Sequence, residues 1–105
     1  MREKNVVLTN KVILVTGAAG FIGSNLVMEL LKEVHPVHII GIDNMNDYYD
    51  VSIKKYRLKQ IESLATEHPD SSWKFVKGSI ADKELVDSLF EEYHPAVVVN
   101  LAAQA

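Results

Sequence analysis

Nine residues, Thr16-Gly17-Ala18-Ala19-Gly20-Phe21-Ile22-Gly23-Ser24, carry the strongest chemical signal in the chain. Each glycine has a physical task. Gly17 lets the backbone turn sharply where a Cβ would clash. Gly20 lets the backbone come within hydrogen-bonding distance of a phosphate, and Gly23 lets a following helix pack closely on the preceding strand. The first N–H groups of that helix have no partner inside it and point at a bound anion. The helix dipole favours the anion by about 0.3–1 kcal/mol, and each charge-assisted hydrogen bond adds roughly 1.5–3 kcal/mol.

A second residue answers the turn. Asp43 lies twenty positions after Gly23, at the end of the next strand-like run. A carboxylate there can accept hydrogen bonds from both ribose hydroxyls of an adenosine. It would repel a 2′-phosphate, and no arginine stands beside Asp43 to reverse that preference. The pattern therefore points to a dinucleotide, with NAD favoured over NADP. A P-loop is excluded because no Lys-Ser or Lys-Thr pair follows the glycines.

These groups need a frame, and the hydrophobic pattern supplies one. A β-branched run, Val12-Ile13-Leu14-Val15, precedes the glycine turn and reads as a strand buried on both faces. Ile22, Leu26, Val27, Leu30 and Leu31 recur at helical spacing, which predicts an amphipathic helix over 21–34. A strand over 37–42, a polar loop to about 50, and a helix with Leu58, Ile61, Leu64 and Ala65 on one face follow. A third strand is expected over 73–76. A third helix is marked by Leu85, Val86, Leu89 and Phe90, with Asp82 as its N-cap. A fourth strand is expected over 96–101.

Strand and helix alternate throughout, so the fold class is α/β, with a parallel sheet of order 3-2-1-4 and helices on both faces. The sequence divides into a charged leader, residues 1–10, and a partial Rossmann-type domain, residues 11–105, that stops after the fourth strand. All three prolines follow a histidine, at His35-Pro36, His68-Pro69 and His94-Pro95, where helices are expected to end. Helix ends lie at the side of the sheet where strands begin, whereas ligands bind where strands end. These histidines, with His38, are accordingly read as structural.

Composition bounds the rest. The 105 residues are 48% hydrophobic and 24% charged, and 11 basic against 14 acidic residues leave a net charge of −3. That balance offers no footprint for nucleic acid or for an anionic membrane. No cysteine is present, which removes thiolate metal sites and cysteine nucleophiles. No apolar run approaches the ~20 residues needed to span a bilayer, and Val6-Val7-Leu8 is too short for a signal peptide. The expectation is a soluble cytoplasmic protein.

The motif Gly17-x-x-Gly20-x-x-Gly23, with Thr16 before it and Asp43 after it, resembles the extended short-chain dehydrogenase/reductase family. The ending Asn100-Leu101-Ala102-Ala103-Gln104-Ala105 is similar to the cofactor-lining segment of its nucleotide-sugar members. Residues 41–54, Gly-Ile-Asp-Asn-Met-Asn-Asp-Tyr-Tyr-Asp-Val-Ser-Ile-Lys, resemble the loop after the second strand in UDP-glucuronate 4-epimerases. The resemblance implies that the backbone of Gly20, Phe21 and Ile22 holds a pyrophosphate and that Asp43 and Asn44 hold the adenosine ribose. It implies that Ser79 and Ile80 flank the adenine and that Leu101, Ala102 and Ala103 line the passage towards the nicotinamide. Where Ser79 stands the family usually has an aspartate, so adenine binding is expected to be weaker by about 1 kcal/mol.

Family members use a tyrosine base with a lysine four residues on, the lysine lowering the tyrosine pKa. Residues four after Tyr48, Tyr49, Tyr56 and Tyr93 are Ser52, Ile53, Gln60 and Val97. The chain alone is thus expected to be inactive. Tyr48 and Tyr49 fall in the loop near the ribose, where loop closure is the favoured role. The nucleotide-sugar substrate would be met only in the complete enzyme. A nucleotide-sugar dehydratase or reductase, or a non-catalytic nucleotide-binding module, are the alternatives. The open, apolar edge of the fourth strand predicts pairing with a second copy, a homodimer, or aggregation.

Overall fold

The first strand is an inner one, as its apolar side chains on both faces require. A computed structural model describes residues 10–45 and 51–101, and in it β1 (Val12–Thr16) lies between β2 (His38–Asp43) and β4 (Val97–Asn100). β3 (Ser72–Lys77) pairs with the far side of β2, giving the order β3-β2-β1-β4 with every pairing parallel. Helices α1 (Phe21–Glu33), α2 (Val51–Thr66) and α3 (Lys83–Tyr93) make the three crossovers that parallel neighbours need. The expected class, strand order and placement of helices on both faces are all present.

Two hydrophobic layers sandwich the sheet. On one face Ile13, Val15 and Ile39 meet Val27, Leu30 and Leu31 of α1 and Ile61 of α2, with Leu58, Leu64 and Ala65 packed around them. On the other, Leu14, Ile40 and Ile42 meet Leu89 of α3, supported by Leu85 and Tyr93. Burying each such Val, Leu or Ile side chain stabilises by about 1.5–3 kcal/mol.

Three expectations need correction. Ile22 is 66% exposed and off the buried stripe of α1, which comprises Gly23, Ser24, Val27, Leu30 and Leu31. At 100° per residue it stands well round the helix from Val27. Phe90 is 42% exposed, and Leu85, Leu89 and Tyr93, spaced by four, make the inner row of α3. β2 starts one residue later than expected and ends on Asp43 as expected, and β4 covers only 97–100. Asp82 does cap α3, its carboxylate accepting from the Leu85 N–H at 3.2 Å.

The His-Pro pairs mark helix ends. Each histidine follows the last turn of its helix, and His94 takes a left-handed conformation (φ 47°) while its N–H bonds the Phe90 carbonyl. His35 stacks on His68 with ring centroids 4.8 Å apart, and His38 Nδ1 lies 2.8 Å from Ser72 Oγ. These groups sit at the end of the sheet where strands begin, away from the glycine turn. No helix among the described residues is long and apolar enough to cross a membrane.

Candidate functional site

Parallel pairing brings the C-terminal ends of all four strands to one side. Thr16 is in register with Ile42 and Asn100, and Asp43 with Lys77. The glycine turn lies over this side and is pinned to the end of β2. The N–H groups of Gly17 and Ala18 donate to the Ile42 carbonyl at 2.8 and 3.3 Å, and that of Gly20 to the Gly17 carbonyl at 3.0 Å. Gly17 has φ 71°, a left-handed conformation that glycine adopts without the Cβ penalty of other residues.

Helix α1 then starts with an open cradle. Its first intrahelical bond joins the Ser24 N–H to the Gly20 carbonyl at 2.9 Å, and no side chain caps the end. The N–H groups of Phe21, Ile22 and Gly23 precede that bond and form the anion-facing donor set of a helix N-terminus. Phe21 and Ile22 are 68% and 66% exposed, so the solvent side of the cradle is accessible. Gly23 serves a different neighbour from the one expected. A Cβ there would lie 2.1 Å from the Gly17 carbonyl oxygen and 3.1 Å from Ala18 Cα. Its close approach is to the turn rather than to the strand, so it sets the distance between the turn and the first helical N–H groups.

Asp43 is buried beside this cradle, only 6% exposed. Its Oδ2 accepts from the Ala19 N–H at 3.0 Å. Oδ1 accepts from the Met45 N–H at 2.8 Å and from Lys54 Nζ at 3.0 Å. The Asp43 backbone carbonyl receives the Gly78 N–H at 3.0 Å, tying the exit of β3 to the same point. A buried carboxylate is tolerated when paired and hydrogen-bonded in this way. Asn44 follows on the exposed rim.

The sequence reading did not include Lys54 as a partner of Asp43. Neither did it include Arg57, whose Nη1 donates to the Ala19 carbonyl at 3.3 Å and whose guanidinium lies 5.8 Å from the Phe21 ring centroid. A positive residue one and two turns after the loop was the available signal, but its direction depends on how α2 docks.

The remaining expected site residues divide. Ser79 lies beyond β3 at the same sheet end, where its hydroxyl accepts from the Ala81 N–H at 3.0 Å and its carbonyl from the Asp82 N–H at 3.0 Å. Ile80 packs against the Leu14, Ile40, Ile42 and Leu89 cluster, so its side chain serves the core. Leu101 follows β4, its N–H donating to the Thr16 carbonyl at 3.1 Å and to Thr16 Oγ1 at 2.9 Å, while the Thr16 hydroxyl donates to Asn100 Oδ1. Ala102 and Ala103, and the loop tyrosines Tyr48 and Tyr49, lie outside the described residues.

Geometry and donor set fit an adenosine diphosphate: unbonded N–H groups for a pyrophosphate, and a buried carboxylate beside them for a ribose. Residues 14–105 match the family model described as GDP-mannose 4,6 dehydratase. Protein CapI of Staphylococcus aureus is 44% identical over 93 residues, covering 89% of this chain and 25% of that protein. A UDP-glucuronate 4-epimerase of Thermodesulfobacterium geofontis is 39% identical, covering 88% and 26%.

Among solved structures, dTDP-glucose 4,6-dehydratase from Bacillus anthracis in complex with NAD superposes with a TM-score of 0.72. The identity is 36%, covering 90% of this chain and 27% of that one. A variant of UDP-glucuronic acid 4-epimerase from Bacillus cereus, in complex with NAD and UDP-4-deoxy-4-fluoro-glucuronic acid, gives 0.69. There the identity is 34%, covering 88% and 26%. The chain thus spans about a quarter of the length of the relatives it matches.

Proposed function

The chain belongs to the GDP-mannose 4,6 dehydratase family of NAD-dependent nucleotide-sugar epimerases and dehydratases, and from that premise we propose that it holds the adenosine diphosphate half of NAD in a UDP-glucuronate 4-epimerase. The observation that carries this reading is the buried Asp43 carboxylate set beside the uncapped N-terminus of α1. In the proposed arrangement, residues 11–105 are the first part of the NAD-binding domain and residues 1–10 a leader. The N–H groups of Phe21 and Ile22, with the close backbone approach at Gly17, Gly20 and Gly23, hold the pyrophosphate. Asp43 and Asn44 orient the adenosine ribose, while Ser79 and the backbone at Ile80 border the adenine. Leu101, Ala102 and Ala103 line the way to the nicotinamide.

When bound, the cofactor supplies a hydride acceptor and donor for C4 of the sugar. The chain's own residues bind and orient; none of its four tyrosines has a lysine four positions on, so proton transfer falls to residues outside these 105. The chain by itself is therefore read as non-catalytic, and the enzyme carrying it as cytoplasmic. The exposed outer edge of β4, with Val98 46% accessible, pairs with a second copy when the chain is isolated.

Likeness to the 4-epimerase loop over 41–54 favours the epimerase. The match to a 4,6-dehydratase structure supports a dehydratase as the second reading. Calorimetric titration of the folded 105-residue protein with NAD and ADP tests the site. Saturable binding of both, at similar affinity, is expected, because the adenosine half carries the contacts. No heat from either, on a chain shown folded by circular dichroism, overturns the reading. In a complete enzyme carrying this segment, UDP-glucuronate converted to its C4 epimer supports the first reading, and loss of water from the sugar supports the second.

A further inference from the structure

The glycine turn is hydrogen-bonded to the end of β2, but its underside meets a side chain from one strand further out. Trp73 of β3 is in register with Ile39 of β2 and packs against the core on the α1 and α2 face of the sheet. Gly41, two residues along β2 and so directed to that same face, pairs with Val15 on one side and Phe75 on the other. A Cβ at Gly41 would lie 2.4 Å from Cη2 and 2.7 Å from Cζ3 of the Trp73 indole, and 2.7 Å from the Ala18 Cβ. The far edge of the indole and the Ala18 methyl therefore share the space that a side chain at position 41 would take. Phe75 lies beside the indole, with the ring centroids 6.4 Å apart.

Ala18 belongs to the turn that leads into the cradle. It is fully enclosed, 0% exposed, and its N–H reaches the Ile42 carbonyl at 3.3 Å, against 2.8 Å for that of Gly17. A bond longer than the usual 2.9–3.0 Å holds its residue loosely, whereas close packing on a rigid ring resists displacement. The turn and the start of α1 are linked, because the Gly17 carbonyl accepts from Gly20 and the Gly20 carbonyl from Ser24. What fixes Ala18 over the sheet thus fixes the Phe21 and Ile22 N–H groups as well.

Resting on the dinucleotide reading above, we propose that Trp73 is a positioning residue for the pyrophosphate turn. Through the gap at Gly41 its indole supports Ala18, and so sets the N–H groups of the cradle where a pyrophosphate meets them. It acts through Ala18 and not by touching the ligand. Such support is reciprocal: a ligand that favours the placed turn favours the placed indole by the same factor.

Trp73 is the chain's one tryptophan, so its emission reports this contact. In wild type, saturating ADP is expected to reduce acrylamide quenching of that emission, with a midpoint matching the calorimetric Kd. Trp73→Phe, whose ring ends short of the Cη2 and Cζ3 positions, is expected to bind ADP tenfold or more weakly where circular dichroism shows it folded, the loss of about one charge-assisted bond. Gly41→Ala is expected to weaken ADP binding to the same extent, because its methyl drives the indole and Ala18 apart. Combining the two substitutions is expected to recover binding to within threefold of wild type, since the shorter ring vacates the space and the methyl fills it beside Ala18. A tryptophan that served the core alone would lower the melting temperature of each variant, leave the ADP affinity of the folded chain unchanged, and give two defects that do not cancel. Equal ADP affinity in wild type and Trp73→Phe overturns the proposal alone, and so does a double variant that binds no better than Gly41→Ala. Quenching unmoved while calorimetry shows saturation does the same, and it needs no variant to fold. No ADP binding by the folded wild type removes the parent reading, and this one with it.

Discussion

Replacing Gly23 with alanine sets two physical effects against each other, and their signs differ. In an ordinary helix position alanine is more favourable than glycine by about 0.8–1 kcal/mol, which would raise the melting temperature. Here the new methyl would lie 2.1 Å from the Gly17 carbonyl oxygen and 2.9 Å from its carbonyl carbon. Ordinary contacts begin near 3.4 Å, so the turn and helix must part by more than 1 Å. The obstacle is backbone held by the bonds from Gly17 and Ala18 to Ile42, which cannot swing aside as a flexible side chain could. Overpacking of this kind costs about 1–3 kcal/mol, so the net change is a loss of up to about 2 kcal/mol. For a domain of this size, each kcal/mol moves the melting temperature by about 4–8 °C. The same displacement carries the Phe21 and Ile22 N–H groups away from a pyrophosphate. Losing one charge-assisted bond, about 1.5–3 kcal/mol, weakens ADP binding by roughly 10- to 150-fold. Thermal melting and ADP titration of Gly23→Ala read both numbers. A variant that melts higher than wild type and binds ADP equally well would refute the reasoning.

Four further outcomes follow from particular contacts. Asp43→Asn removes the charge that Lys54 Nζ meets at 3.0 Å in a largely buried pair; urea denaturation is expected to show a loss of about 1–3 kcal/mol, and an unchanged midpoint would contradict a stabilising role for the pair. Asp82→Ala removes the cap on the Leu85 N–H and is expected to cost about 0.5–2 kcal/mol by the same assay. Ser79→Asp restores a charged acceptor beside the proposed adenine and is expected to tighten NAD binding by about 1 kcal/mol, roughly fivefold; equal affinities by calorimetry would count against the adenine assignment. Sedimentation of the isolated chain is expected to show concentration-dependent association that Val98→Lys weakens, and a clean monomer at high concentration would rule out pairing through β4.

Much of the fold was legible because its signals are local. Val12 to Val15 are apolar without alternation, which only a strand covered on both faces demands, and each His-Pro pair ends a helix. Asp43 was legible for the same reason, since a strand of known length after a glycine turn carries its last residue to a defined place. What escaped depends on docking. Lys54 and Arg57 reach the Asp43 corner only because α2, with Ile61 and Leu58 in the core, is seated against α1 and β3, and no spacing rule gives that direction. Ile22 was misread because its spacing to Leu26 matched a helix while its angle placed it outside the buried stripe. Gly23 was right as a close approach but wrong in its neighbour, because the turn folds back over the strand end and meets the helix first.

The strand order has a consequence in time. Leu14 is paired with Val98, so the residue that closes one side of β1 is made 84 positions after it. At about 5–20 residues per second, a ribosome needs roughly 4–17 s to bridge that interval. During it β2 can zip onto one edge of β1, while the other edge, bordered by Ile13, Leu14 and Val15, has no native neighbour. Among the described strands, the first made is thus enclosed only by the last, and one edge of β1 stays uncovered in the nascent chain until β4 emerges.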